Sequence, residues 1–184
     1  KKIYLNLTDV SIESLKGYSM SAKELQKRWT VTNPELLKPF YDQGMSVIIL
    51  CGHFINWEWG ISLGQQIDHH CISAYKPLHN RYINNYLIHS RAIAHCELTP
   101  ANQTSRCFIK NRRKTRAYAL IADQHPAGTK DIHWVKFLNQ DTATLSGPEK
   151  LAQTFNYPVF YITGKRKKRG YYDIHLTLLS DDPK

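Results

Sequence analysis

Short apolar runs rich in β-branched residues alternate along this chain with longer segments of helical periodicity. The clearest run is 46–51 (SVIILC), whose unbroken apolar character is typical of a central strand in a parallel sheet. Strands that alternate with helices form βαβ units. The pattern therefore predicts an α/β fold in which helices flank a central, mostly parallel sheet. Further strands are predicted at 71–75, 94–98, 118–123, 132–138, 158–163 and 171–179.

The predicted helices lie between these strands. Asn33 supplies a capping side chain, Pro34 suits the first helical position, and Gly44 ends the helix that they begin. The last two strands are expected to pair as a hairpin through 164–170. The 184 residues contain no repeat or linker, so we expect one domain over 1–184. Further helices are predicted at 56–66, 80–92, 101–114 and 147–155.

The charge balance of the chain is strongly basic. The sequence has 25 Lys and Arg against 15 Asp and Glu, a formal net charge of +10. Such an excess suits an anionic partner: a nucleic acid, a lipid headgroup surface or an acidic protein. The chain lacks any RRM, KH, OB or helix-turn-helix signature, which argues against a nucleic-acid partner. We expect the basic run at 112–116 to face an anionic surface on the side of the fold that bears His53, and the run at 165–169 to do so or to be a solvated loop.

Cysteine and histidine spacing gives no sign of a metal site. The four cysteines lack the CxxC spacing of zinc sites and are scattered, so free thiols in a reducing compartment are expected. The densest group of potential ligands, His69-His70-Cys71, has no second ligand pair at zinc spacing. We therefore expect neither a metal nor a cofactor.

A histidine and a carboxylate follow directly after the strand predicted at 46–51. Ligands of parallel α/β proteins bind at the carboxyl ends of strands, where a histidine can act as a general base. His53 and Glu58 can meet if the histidine lies on the strand-to-helix turn and the acid in the first helical turn. Gly52 and Asn56 permit that bend, and Glu58 would then orient the imidazole. The alternative is a buried histidine with one structural hydrogen bond and a solvated Glu58.

The same segment resembles a known active-site motif. GHFINWEWG is similar to the HxxxxE block of the lysophospholipid acyltransferase superfamily, and most closely to the Gly-His-x-x-Asn-Trp-Glu form of the lipid A biosynthesis lauroyl/myristoyl acyltransferases. Two further blocks resemble that family in the same order: the strand that ends in Asp123-Gln124, and the stretch 135–148. Ile55 and Asn139 depart from the family, which usually has glycine at both positions.

The resemblance implies a glycerolphosphate-acyltransferase-like fold and an acyl-transfer reaction. A fatty acyl chain would move from a thioester, on acyl carrier protein or coenzyme A, to a hydroxyl of a lipid A precursor. His53 would be the general base, oriented by Glu58, and backbone N–H groups around 52–56 are candidates for the oxyanion hole. No serine or cysteine nucleophile is needed, because the acceptor hydroxyl itself attacks the thioester.

Four further residues are candidates for substrate contact. Asn56 belongs to the matching motif. Arg91 lies near the place where the family has an arginine that meets a substrate phosphate, although a helix-end arginine that favours the macrodipole is an equal alternative. Asp123 and Gln124 lie at the carboxyl end of a strand, where they can contact substrate or form an Asx-turn.

The resemblance also implies a location and a set of partners. The family's amino-terminal membrane helix has no counterpart here, so we expect the chain to be the catalytic core of a longer, membrane-anchored protein at the cytoplasmic face of the cell inner membrane. Its partners would be the thioester donor, the lipid acceptor and the anionic membrane surface. Two alternatives stay open: an acyltransferase of the same superfamily that acts on another lipid or pigment, and a non-enzymatic basic α/β module that binds nucleic acid or membrane.

Overall fold

The main sheet of the molecule is built around β2 (Val47–Cys51). The computed structural model of the protein describes residues 2–92, 95–126 and 132–184. In it, β2 lies between β5 (Arg116–Ile121) and β8 (Val159–Lys168) and runs parallel to both. The first three residues of β2 are fully buried. This confirms the central strand predicted from the apolar run.

Seven strands form this sheet, in the order β1-β9-β8-β2-β5-β3-β4. The pair β8 and β9 is antiparallel, and the other neighbours are parallel, which confirms the predicted α/β fold with a mostly parallel sheet. The terminal hairpin is also confirmed, with a shorter turn than predicted because β8 extends to Lys168. The first residue of the strand predicted at 94–98 lies outside the described residues. The remaining strands are β1 (Trp29–Val31), β3 (His70–Tyr75), β4 (Cys96–Pro100) and β9 (Tyr171–Ser180).

A separate two-stranded sheet follows β5 along the chain. It consists of β6 (Ile132–Phe137) and β7 (Gln140–Leu145), which pair antiparallel. The loop between them is only two residues long, Leu138 and Asn139, and both have a positive φ, of 50° and 63°. Two such residues in succession are the signature of a type I′ hairpin turn.

Helices cover the faces of the main sheet. Two of them, α1 (Lys2–Gly17) and α2 (Ala22–Arg28), precede the first strand and were not predicted from the sequence. Ser21 caps α2 by accepting a hydrogen bond from the backbone N–H of Glu24 (3.3 Å). Within the described residues, no helix has the length and apolar character needed to cross a bilayer. The other helices are α3 (Lys38–Asp42), α4 (Arg81–Ala92), α5 (Thr104–Asn111) and α6 (Gly147–Phe155).

The segment predicted as a helix at 56–66 is a 3-10 helix, Trp57–Gln65. A 3-10 helix has three residues per turn, so residues three apart lie on the same side. Trp59 and Ser62 are three apart, and both are buried. Together with Leu63, which is also buried, they form the inward side of this segment.

The core has one layer on each face of the main sheet. On one face Ile49 belongs to a cluster with Trp59 and Phe160, and on the other Ile48 belongs to a cluster with Phe108 and Tyr118. Adjacent strand residues point to opposite faces. Burial of both faces explains why the run 46–51 is apolar throughout.

Candidate active site

An open groove lies at the carboxyl ends of the parallel strands, where the sequence predicts the site. Its volume is about 1420 Å³, and most of its lining is apolar. The backbone N–H of Ala122 donates to the carbonyl of Cys51 (3.2 Å), so the chain leaving β5 runs beside the chain leaving β2. The lining includes His53, Glu58 and Gln124. The groove thus brings together polar groups from separate strand ends.

Asp123 holds His53 through two hydrogen bonds. Oδ1 of Asp123 lies 2.7 Å from Nδ1 of the imidazole, and Oδ2 accepts the backbone N–H of His53 at 2.6 Å. The ring of His53 also packs edge-on against Trp57, with 5.1 Å between ring centroids. A side chain held at its backbone, its ring nitrogen and its ring edge has a defined orientation. The backbone N–H of His53 is thereby occupied, which removes one of the expected oxyanion-hole donors.

Gly52 allows the Asp123 carboxylate to approach the loop after β2. A Cβ atom at position 52 would lie 2.9 Å from Oδ2 and 3.2 Å from Cγ of Asp123. Any larger residue would therefore push the carboxylate away. Glycine at position 52 therefore leaves the room that the His53–Asp123 contact needs.

The protonation of this pair follows from the pKa of Asp123. Burial raises that pKa, but the hydrogen bonds from the ring and the backbone N–H of His53 lower it, and the net pKa lies below its usual value. The carboxylate is therefore ionised at neutral pH and can only accept. We accordingly assign the proton of the neutral imidazole to Nδ1, which leaves the lone pair on Nε2. Nε2 lies 3.4 Å from the side-chain Nε2 of Gln124.

Glu58 does not make the predicted hydrogen bond to His53. In the part of the chain that the structure describes, both ring nitrogens of His53 have other partners, and Oε2 of Glu58 accepts from Nη2 of Arg91 at 2.6 Å. The 3-10 geometry after Asn56 and the reach of Arg91 from α4 explain the difference. Glu58 and Arg91 are both largely shielded from solvent, and both line the groove.

The side chain of Asn56 is bonded inside the protein rather than exposed to solvent. Its side chain is fully buried, and its Nδ2 donates to Oε2 of Glu13 at 3.1 Å. The same carboxylate oxygen accepts from the hydroxyl of Tyr172 at 2.6 Å. Asn56 thereby links the active-site loop to α1 and β9. The substrate contact expected of Asn56 stays a prediction.

The basic run at 112–116 lies away from the groove, beside the amino end of β5. Arg116 begins β5 and pairs in register with His70 at the start of β3, whereas Cys51 and Ile121 pair at the opposite end. Residues 112–116 thus lie at the end of the sheet remote from His53, and the expectation that this run flanks the active site is wrong. The full length of β5 separates this run from the groove, which lies at the carboxyl end of the strand.

The second basic run is partly neutralised within the protein. Arg166 and Arg169 donate to the two oxygens of Asp9, at 2.6 and 2.7 Å, and Lys167 pairs with Asp173 at 3.1 Å. These contacts attach α1 to the β8–β9 hairpin. The run is therefore neither a free solvated loop nor a cationic surface available in full to a partner.

Cys51 lines the groove, but its thiol is not activated. Burial, and secondarily the charge of Asp123, raise the pKa of Cys51 to about 12. The thiol is thus protonated at neutral pH and a weak nucleophile. Among the described residues, no group of three or more His, Cys, Asp or Glu side chains is placed to hold a metal ion. The histidine remains the group best placed to act on a substrate.

The sequence interpretation missed that Asp123 is the partner of His53. The signal was present, because each residue follows a predicted parallel strand and the carboxyl ends of parallel strands share one edge. What was missing was the strand order, which sets β5 directly beside β2. Glu58, closer in sequence, was chosen for its spacing and for the resemblance of 52–60 to the HxxxxE motif.

The chain matches one known protein family over nearly its whole length. The family model described as bacterial lipid A biosynthesis acyltransferase matches residues 2–178, nearly the whole chain. No curated protein sequence matches the chain as a relative. The matched region includes α1, the groove and the three blocks of the resemblance. The chain therefore belongs to the bacterial lipid A biosynthesis acyltransferase family, and it is an acyltransferase.

Proposed function

We propose that the protein transfers a fatty acyl chain from an acyl thioester, on acyl carrier protein or coenzyme A, to a hydroxyl of a lipid A precursor. The observation that carries this proposal is the orientation of His53 in the groove, with Nδ1 bonded to an ionised Asp123 and Nε2 left as the basic atom. A lipid hydroxyl is a weak nucleophile and needs such a base as it attacks.

In the proposed reaction, the hydroxyl oxygen of the acceptor attacks the thioester carbonyl carbon while its proton passes to Nε2 of His53. The negative charge of Asp123 stabilises the imidazolium ion that forms. The tetrahedral intermediate then collapses, the carbon–sulfur bond breaks, and the imidazolium returns the proton to the leaving thiolate. The products are an ester and a free thiol, so the protein ends the cycle in its starting state.

Three other groups have proposed roles in holding the substrates. The side-chain amide of Gln124 lies 3.4 Å from Nε2 of His53. The acceptor hydroxyl would lie next to Nε2, where this amide can form a hydrogen bond with it. Arg91 has donors besides the one bonded to Glu58, and it lines the groove. We assign these donors to a phosphate of the lipid, and we assign Glu58 to orienting Arg91 rather than His53.

The groove also supports a long-chain acyl substrate. Its lining combines apolar side chains, among them Phe54, Leu98 and Ile162, with the polar cluster at one place. A mostly apolar cleft with a few polar groups is the usual form of a site for a lipid-like ligand. Because the proposed acceptor is a lipid, we place the protein at the cytoplasmic face of the inner membrane.

The test is an acyl-transfer assay with the purified protein, an acyl thioester and a lipid A precursor, read by mass spectrometry as the gain of one acyl chain. His53→Ala should lower the rate by about 10²–10⁴. The matched control is His70→Ala, an exposed histidine at the start of β3 and outside the groove, which should transfer at the wild-type rate. Wild-type turnover by folded His53→Ala would overturn the mechanism.

A second acceptor class is distinguished by the same assay. An enzyme of this superfamily that acts on another lipid or pigment would use the same base and the same thioester. Parallel reactions with a lysophospholipid and with the lipid A precursor separate the two. Lipid mass spectrometry of a deletion strain, which should lack one acyl chain of lipid A, gives an independent answer.

A further inference from the structure

The β6–β7 hairpin carries large apolar side chains that the protein does not bury. Trp134, Val135, Phe137 and Leu138 are 66%, 43%, 61% and 78% exposed. Because side chains alternate along a strand, Trp134 lies on one face of the ribbon, and Val135 and Phe137 lie on the other. Apolar groups therefore project from both faces as well as from the tip. Among the described residues, these four side chains belong to neither of the two core clusters.

The tip of the hairpin has a leucine where the backbone favours glycine or asparagine. Leu138 has a φ of 50° at the first position of the type I′ turn. Residues with a bulky side chain are uncommon in this left-handed region, because their Cβ crowds the backbone. Asn-Gly is the preferred sequence of such a turn. Folding therefore gives no reason for a leucine at this position, and a contact outside the chain does.

The base of the hairpin is continuous with the active-site groove. β7 ends at Leu145, and Leu145, Gly147 and Pro148 line the groove that contains His53. The hairpin therefore rises from the groove's rim. Whatever covers the hairpin lies next to the groove entrance.

We propose that the tip of the β6–β7 hairpin inserts into the apolar boundary of an anionic membrane, so that the groove opens at the lipid surface. Lipid can surround exposed apolar side chains on both faces and at the tip of a ribbon, whereas a protein surface covers one face. The chain's net charge of +10 favours an anionic surface, and tryptophan is enriched at membrane interfaces. The proposal rests on the proposed function, since it gives the groove access to a lipid acceptor.

The polar residues of the hairpin set a limit to the depth of insertion. Lys136 is two residues before Leu138 and faces Asp141 across the ribbon. Two residues of a strand span about 7 Å, so these charges lie at the headgroups when the tip enters the roughly 5–10 Å that interfacial segments reach. The long Lys136 side chain can extend toward the headgroups from there. Phe137 and Leu138 are then the residues in contact with acyl chains.

The test is flotation of the protein with vesicles of phosphatidylethanolamine and phosphatidylglycerol, in the absence of acyl donor and acceptor. Leu138→Gly removes the tip side chain and suits the positive φ, so the variant should keep or exceed the thermal stability of the wild type. Vesicle binding should weaken about tenfold, the effect of one leucine side chain transferred out of water. Adding Phe137→Ser should weaken it further.

The matched control is Leu179→Ser. Leu179 is also an exposed leucine, but it lies at the end of the sheet opposite the groove. Its replacement should therefore leave vesicle binding unchanged. Wild-type binding by Leu138→Gly would overturn the proposal. A change from dimer to monomer on Leu138→Gly, measured by light scattering, would also overturn it by making a second copy of the chain the occupant. Because no transfer reaction is measured, failure here is separate from failure of the proposed function.

Discussion

Oδ1 of Asp123 lies 2.7 Å from Nδ1 of His53, although 70 positions separate the two residues in the sequence. If this contact stabilises the imidazolium, Asp123→Asn should lower kcat about 10- to 100-fold, because a hydrogen bond to a charged group contributes about 1.5–3 kcal/mol. The measurement is the acyl-transfer rate of the folded variant. Asp181→Asn, at an exposed position after β9, removes an equal charge outside the groove and should leave the transfer rate unchanged. Full activity of Asp123→Asn would remove Asp123 from the mechanism.

Gly52→Ala tests the same contact through sterics. The new Cβ would meet the Asp123 carboxylate at 2.9 Å, so the carboxylate must move away from His53. We expect a loss of about 1–3 kcal/mol in the free energy of unfolding, as for other overpacked sites, and a rate at least as low as that of Asp123→Asn. Gly147→Ala is the control, since a Cβ there meets no atom within 4 Å. Equal rates for the two alanine variants would contradict the steric argument.

The ion pair between Glu58 and Arg91 should behave as one unit. Glu58→Gln and Arg91→Gln each break the 2.6 Å contact, and each should lower the transfer rate. The double variant should be only slightly slower than the slower single one, with a coupling energy of about 0.5–3 kcal/mol in transition-state stabilisation. Kinetics of the four proteins complete the cycle. Independent effects that add would show that Glu58 acts elsewhere, and a direct role on His53 would then be reconsidered.

Tyr172→Phe should destabilise the protein without touching the groove. The Tyr172 hydroxyl donates to the buried carboxylate of Glu13 at 2.6 Å, and its removal leaves that oxygen with one partner fewer. The loss of one hydrogen bond lowers the free energy of unfolding by about 0.5–1.5 kcal/mol, which denaturant unfolding will measure. Tyr82→Phe is the matched control, because Tyr82 is 86% exposed and its hydroxyl can bond water. An unchanged unfolding free energy for Tyr172→Phe would contradict this account of the Glu13 network.

The attachment of α1 should weaken in acid. Hydrogen bonds from Arg169 and then Arg166 hold the pKa of Asp9 below its usual value. A carboxyl whose folded pKa is depressed adds stability above its unfolded pKa of about 3.9, and this stability is lost as the pH falls through the folded value. The protection factors of the α1 amides against hydrogen exchange should therefore fall below about pH 4.

Asp9→Asn should remove that acid-dependent component and increase exchange in α1 at neutral pH. Asp42→Asn is the control, because its ion pair with Lys38 is exposed and such pairs contribute little. If Asp9→Asn retained the wild-type acid dependence, another carboxyl would be responsible for it.

The sequence by itself was sufficient for the alternation of strands and helices, for the central strand 46–51 and for the place of His53 after it. These features depend on local periodicity and on the burial of both faces of a parallel strand, which a continuous apolar run records directly. The motif around His53 was likewise readable, because its residues are contiguous. α1 escaped prediction since many of its apolar side chains remain exposed, so that it shows no clean buried stripe.

Only the tertiary structure decided which carboxylate holds His53. Asp123 meets the histidine because β5 lies beside β2 with Cys51 opposite Ile121, a pairing that no local pattern encodes. Likewise, Arg91 reaches Glu58 from α4, and Glu13 reaches Asn56 from α1, across 33 and 43 positions. Contacts between strand ends and helices depend on strand order and register, which are set by non-local packing. The individual residues of the site could therefore be predicted from the sequence, whereas the contacts between them depend on the fold.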